Sequence, residues 1–282
     1  MQYADDTQII IDGEFNNLDD IIRRAEEVLN RVKLYFQMNG LLLNESKTQC
    51  IFIGSRQYVS EINDNIHLNF NGTIIKPMKS VKNLGVHFDR FMTFESHIDN
   101  LHKKVMGTLI YLNRLKDSFE PETRLIVVQS LALSLINYCY TVWGSTSNTQ
   151  MSRVQKLQNF AARVALGTVK KYEHISPFLL KLEWLKMKDK YSFNVCVFMF
   201  KVIRKIFPDW LYHFDSVDSR TGMITRQANN IVVRRANTDI GAREMSTRGP
   251  QLWNNLPSTL RDAASLSSFK NKMKKHLLYK NQ

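Results

Sequence analysis

From Phe94 onward the apolar residues of this chain recur at one period, and that period is helical. Ile98, Leu101, Val105, Leu109 and Leu112 make one stripe, and Leu125, Val128, Leu131, Leu135 and Ile136 make a second that starts after Pro121. Val154, Leu157, Phe160, Ala161, Val164 and Ala165 make a third, which stops at Gly167. Residues 178–206, rich in Phe, Val and Met and closed by Pro208, hold one or two further helices. Stripes of this kind are core-facing, so residues 94–208 are predicted to form a bundle that is stable on its own. Residues 216–249 are rich in Arg and Asn and show little periodicity, which predicts an irregular or strand-like segment. Residues 251–278 read as a Trp253-bearing turn followed by a basic helix carrying Phe269, Lys270, Lys272, Met273, Lys274, Lys275 and Leu277.

The preceding residues follow different rules. Residues 7–12 read as a short strand ending in an Asp12-Gly13 turn. Leu18, Ile21, Ile22, Ala25, Val28, Leu29, Val32 and Phe36 then mark an amphipathic helix, with Asn17 placed to cap it and Gly40 placed for a left-handed residue after its end. Residues 41–43 and 49–53 read as strands around an Asn44-Glu45-Ser46-Lys47 turn, and residues 66–70 and 73–76 as a hairpin around Asn71-Gly72, where both positions tolerate positive φ. Residues 81–88 read as one more strand with Gly85 inside it. The fold class is α+β: a small antiparallel sheet with a packed helix over residues 1–93, a mainly helical region over 94–208, and a basic C-terminal region over 209–282.

At 282 residues with 44% hydrophobic side chains, the chain can bury one large or two modest cores. No stretch approaches the roughly 20 apolar residues of a membrane span, and the N-terminal residues lack the order of a signal peptide. No membrane partner is expected, and the expected compartment is intracellular, cytoplasmic or nuclear. Cys50, Cys139 and Cys196 are too dispersed for a disulfide framework or a Cys-x-x-Cys site and read as buried thiols; His97 and His102 are off a common helical face, which disfavours zinc. Trp143, Trp184, Trp210 and Trp253 read as core or turn anchors rather than base-stacking platforms. The net charge of +13 is one-sided: residues 1–149 carry 15 Lys and Arg against 17 Asp and Glu, whereas residues 150–282 carry 24 against 9. Such an excess is a footprint for a polyanion, nucleic acid first, with a merely solvated basic surface as the alternative.

Against that background the adjacent acids Asp5 and Asp6 stand out. Neighbouring carboxylates repel, so a turn keeps them where a cation sits opposite or where water reaches both. Two-metal phosphoryl transfer uses such carboxylates to hold Mg²⁺ (or Mn²⁺) ions about 4 Å apart. One Asp pair on one turn cannot hold both ions, so another strand must add a carboxylate.

Tyr3-Ala4-Asp5-Asp6 resembles the Tyr-x-Asp-Asp motif of reverse transcriptases, and three further segments narrow the resemblance to the non-LTR retrotransposon (LINE-like) class. LLLNESKTQCIFIG (41–54) resembles the lysine-bearing segment after the catalytic hairpin. VKNLGVHFDRFMTFESHI (81–98) resembles the primer-gripping hairpin and its run into the thumb, and WNNLPSTLRDAASLSSFKNKMKKHLL (253–278) resembles the C-terminal tail of the same polyproteins. The resemblance implies that Asp5 ligates metal with Asp6 as its partner, that Tyr3 lies near the primer terminus, and that Lys47 faces the incoming nucleotide's phosphates. It places Gly85, Val86 and His87 in the primer grip.

It also implies an RNA template and a DNA primer as partners of the parent enzyme, an RNA-directed DNA polymerase. In the family, fingers and an earlier metal-binding aspartate precede the Asp-Asp turn, whereas only Met1 and Gln2 precede Tyr3 here. The expectation is therefore a C-terminal part of such an enzyme that does not polymerise alone, its palm sheet exposing an edge. The alternatives are a non-catalytic basic nucleic-acid-binding module and a decayed transposon product without selected activity.

Overall fold

The computed structural model describes residues 2–3, 6–60, 66–170, 172–208, 214–215 and 230–280, and it is α+β. The chain divides into two compact units, Met1–Met92 and Thr93–Gln282.

In the first unit, strands β1 (Gln2–Tyr3) and β2 (Asp6–Thr7) pair antiparallel, Tyr3 opposite Asp6. Residues 8–12, predicted as the body of a strand, run past the end of their partner and join no ladder, and Ile9 and Ile10 are exposed. Helix α1 (Leu18–Met38) follows a 3-10 turn, Phe15–Asn17. Asn17 makes no side-chain cap, contrary to expectation. The C-terminus ends as predicted, with Gly40 at φ 71° and Leu41 N–H donating to the Phe36 carbonyl (2.8 Å), which satisfies carbonyls the helix would leave orphaned.

A short helix, α2 (Arg56–Ser60), precedes the second hairpin. That hairpin, β3 (Leu68–Phe70) and β4 (Thr73–Ile75), forms around Asn71 (φ 55°) and Gly72 (φ 81°), the two-positive-φ turn that the Asn-Gly pair favours. Its buried residues Leu68, Phe70 and Ile75 pack against Ile22, Ala25 and Leu29 of α1, and against Leu43 and Cys50.

Two corrections concern strands. Residues 41–43 and 49–53 are not strands: Leu42 is 91% exposed, and the second segment makes only one isolated bridge, Cys50 to Pro77. Proline has no N–H with which to continue that ladder. Residues 81–88, read as one strand, form a hairpin of β5 (Ser80–Asn83) and β6 (Val86–Asp89). Leu84 (φ 43°) and Gly85 (φ 83°) take the turn, because positive φ at two successive residues reverses the chain with the right twist. Each of the three sheets has two strands among the described residues.

The second unit is helical: α3 (Glu95–Arg114), α4 (Pro121–Val128), α5 (Ser134–Asn137), α6 (Tyr140–Trp143), α7 (Asn148–Leu166), α8 (Ser176–Lys181) and α9 (Met187–Ile203). After them come α10 (Asp239–Arg243), α11 (Met245–Asn254), α12 (Ser258–Arg261) and α13 (Leu266–Tyr279). The α3 stripe is buried as predicted, Ile98, Val105 and Leu109 completely. The second stripe is not. A π-turn at Gln129–Leu133 follows α4, and the buried row becomes Arg124, Val128, Ala132, Ile136 and Tyr140, while Leu131 and Leu135 are exposed. A four-residue spacing drifts about 40° per step around an α-helix; the wider π-turn absorbs that drift and keeps the row facing inward.

The α7 stripe ends at Gly167 as expected (φ 74°), and α9 packs against α7, α11 and α13. Phe200, Trp253 and Phe269 form one aromatic cluster, with Phe200 and Phe269 stacked at 4.6 Å. Trp253 thus belongs to α11, not to a turn, and two helices, broken at Glu244, occupy 239–243 and 245–249 where irregular chain was predicted. Gly241, Gly249 and the adjoining Pro250 hide the helical period there from the sequence. Trp143 is fully buried and Trp184 half-buried, while Trp210 and residues 216–229 lie outside the described residues.

Candidate functional site

The predicted site residues sit on three local structures of the first unit. The first is the β1–β2 ladder. It brings Tyr3 opposite Asp6, and Asp6 is exposed on β2, so its carboxylate is open to a cation. Ala4 and Asp5 lie outside the described residues, as does the side chain of Tyr3. Among the described residues no three His, Cys, Asp or Glu side chains gather to hold a metal ion. A hard cation takes oxygen ligands, and Asp6 fits as one of them.

The second is the 3-10 turn Glu45–Lys47, in which Lys47 is exposed. Asn44 builds the turn, its Oδ1 accepting from the Lys47 N–H (3.2 Å) and from Ser46 Oγ (2.7 Å). Glu45, not singled out from sequence, anchors it. Its carboxylate accepts from Asn71 Nδ2 (2.7 Å) on the β3–β4 turn and from Thr73 Oγ1 (3.2 Å), and it lies 3.9 Å from Lys33 Nζ of α1. One half-buried acid therefore fixes the Lys47 turn to both a helix and a hairpin. The available signal was an acid placed inside a turn that needs none for its geometry.

The third is the β5–β6 hairpin. Gly85 is exposed at its tip, Val86 is buried and His87 is half-buried, opposite Lys82 in register. An exposed glycine at a hairpin tip lets another backbone approach closely. Arg90, just past the hairpin, donates to the carbonyls of Met78 (3.1 Å) and Pro77 (3.2 Å) and so holds the segment that leads into it.

In the second unit, the basic character predicted from composition is organised by α13. Phe269, Met273 and Leu277 form its buried face, and Lys270, Lys272 and Lys275 are exposed. Lys274 is half-buried and pairs with Glu183 at 2.6 Å, which lowers the Glu183 pKa through the hydrogen bond and the charge. Among the described residues no helix is long and apolar enough to cross a membrane.

The chain is 28% identical, over 177 residues, to the retrovirus-related Pol polyprotein from type-1 retrotransposable element R1 of Nasonia vitripennis. That likeness supports a retrotransposon-related origin. The matched stretch takes in 59% of this chain and 52% of the polyprotein, so the chain spans about half the length of the curated relative it matches. No protein-family profile and no solved structure matches it.

Proposed function

We propose that residues 1–282 are part of the reverse transcriptase of a non-LTR retrotransposon, comprising the end of the palm, the thumb and the region beyond it. The observation that carries this reading is the 177-residue likeness to a retrotransposon Pol polyprotein. The antiparallel ladder that sets Asp6 opposite Tyr3 supports it.

In this reading Asp5 and Asp6 ligate Mg²⁺ or Mn²⁺, and Tyr3 borders the primer terminus. Lys47, on its braced turn, offsets charge on the leaving pyrophosphate, and Gly85, Val86 and His87 bear on the primer strand. The metal, when bound, supplies activation of the attacking oxygen and neutralisation of the leaving one. Template RNA and primer DNA are the partners, held through backbone phosphates by the basic C-terminal half. One acidic turn lacks the further carboxylate that two metal ions need, so this chain alone does not extend a primer.

Primer extension on the purified chain in Mg²⁺ or Mn²⁺ tests the proposal. No incorporation is expected. Template-dependent incorporation abolished by Asp5→Ala would overturn the inactivity of the isolated chain. A second reading, a nucleic-acid-binding module without catalysis, is favoured by the 24 Lys and Arg against 9 Asp and Glu of residues 150–282.

A further inference from the structure

A cleft of about 450 Å³ opens in the second unit beside the C-terminal end of α7. Lys156, Asn159, Phe160 and Arg163 line one side of it, at the spacing that puts four residues on a single helix face, and Asn113 and Lys116, at the end of α3 and just beyond, line the other. Its volume falls in the range of roughly 300–1,000 Å³ in which small ligands bury most of their surface.

A helix C-terminus is normally a poor place for an anion, because unsatisfied carbonyls and the negative end of the helix dipole face the ligand. Here Arg124 removes both objections. Arg124 is buried and donates through Nε to the Ala165 carbonyl (2.8 Å), through Nη2 to that of Leu166 (2.9 Å) and through Nη1 to that of Lys116 (2.9 Å). Arg163 donates to the carbonyl of Glu173 at 2.9 Å. The acceptors are neutral, so they satisfy the guanidinium of Arg124 without cancelling its charge. Among the described residues no carboxylate pairs with Lys116, Arg124 or Lys156. The Glu173 carboxylate accepts from the Lys170 N–H (2.9 Å).

The remaining groups are those that recognise a base. Phe160 is half-buried in the cleft wall. Asn159 Oδ1 already accepts from Gln155 (2.8 Å), which leaves its Nδ2 as a donor toward a ligand. We propose that this cleft binds one unpaired nucleotide of a single-stranded nucleic acid, its phosphate between Lys116 and Lys156 and its base stacked on Phe160. A duplex would keep its bases stacked inside and offer none to Phe160. This rests on the proposed function only in taking nucleic acid as the polyanion.

The test is fluorescence anisotropy of the full chain with a short labelled oligouridylate, the matching oligothymidylate and a duplex, across a salt series. Lys116→Gln/Lys156→Gln is expected to weaken single-strand binding about tenfold and to flatten the salt slope by roughly 0.7 per lost phosphate contact. Lys103→Gln/Lys104→Gln, equal in charge but on the exposed face of α3, is expected to weaken it less. Phe160→Leu keeps the apolar packing, removes the aromatic face, and is expected to weaken binding several-fold at unchanged salt slope. Stronger binding of the oligouridylate would assign the cleft to RNA, and stronger binding of the oligothymidylate to single-stranded DNA. Equal losses from the two lysine pairs, or duplex binding hit as hard as single-strand binding, would overturn the cleft and leave the proposed function standing. No binding by the wild-type chain at low salt would overturn both.

Discussion

The guanidinium carbon of Arg124 lies 2.7 Å from the point where a Cβ on Gly167 would sit. Gly167 is thus required twice: for its left-handed φ of 74° at the end of α7, and for the space through which Arg124 reaches the Ala165 and Leu166 carbonyls. Gly167→Ala is predicted to destabilise the second unit by about 2–3 kcal/mol, from backbone strain and overpacking together. Arg124→Met, which strands the buried Ala165 carbonyl and the part-buried carbonyls of Lys116 and Leu166, is predicted to cost about 2–4 kcal/mol. With the guanidinium gone, the alanine keeps only its backbone penalty. The double variant should therefore fall short of the summed costs by about 1 kcal/mol in urea unfolding; strict additivity would show that the two residues do not share a constraint.

Glu45 supplies a second prediction. Replacing it with Ala removes the acceptor for Asn71 Nδ2 and Thr73 Oγ1 while leaving the Asn44 cap intact. A cost of about 1 kcal/mol is expected, with faster amide hydrogen exchange at Lys47 and Gly72. Unchanged exchange at both would remove Glu45 as the brace of the Lys47 turn.

Burial makes the second unit sensitive to alkali. Burial pushes the Cys196 thiol from an ordinary 9.0 up to about 12. It also raises the Tyr140 phenol, with Tyr191 adding to the rise, while Tyr140 Oη donates to the Met187 carbonyl at 2.7 Å. Folding favours the protonated form of both groups. The stability they contribute is complete below their unfolded values, 9.0 and 10.0, and declines as pH rises above each. Thermal stability is predicted to fall from about pH 9, with a slope approaching 1.4 kcal/mol per unit from the thiol alone. Cys196→Ala should delay the onset to about pH 10. An unshifted onset would contradict the assignment.

The two units should also differ in resistance. In the first, every strand of the described residues lies in a two-stranded sheet, an arrangement marginal in water; the second buries Ile98, Val105, Leu109, Val128 and Ile136 completely. Limited proteolysis should cut within residues 1–92 first and leave a protected fragment starting near Thr93. Equal rates of cleavage in the two units would contradict this.

How much of this was legible in the sequence depended on whether one local rule decided each position. The α1, α3 and α7 stripes and the Asn71-Gly72 turn were legible because period and positive-φ residues suffice for them. The α4 stripe failed because one π-turn changes the phase, and apolar Leu131 and Leu135 give no sign of which side of the shift they fall on. Residues 49–53 failed because a strand exists only by its partner, and the partner here contains Pro77. Of the site, Gly85 was read inside one strand, since the Leu84-Gly85 step carries only one residue that favours positive φ, while the turn at Lys47 was marked by local residues. Glu45 and Arg124 were not, because their partners lie 26 and 28 residues away for Glu45 and 41 and 42 for Arg124.

The proposal that the acidic step at Asp5 and Asp6 is part of a divalent-metal site is open to direct test by paramagnetic Mn²⁺ in heteronuclear NMR of the full chain. The prediction is that the amide signals of Tyr3 and Thr7 broaden first, recover on adding excess Mg²⁺, and stay sharp in Asp5→Asn/Asp6→Asn. Broadening that begins elsewhere, or that persists at Tyr3 and Thr7 after both carboxylates are replaced, would contradict it.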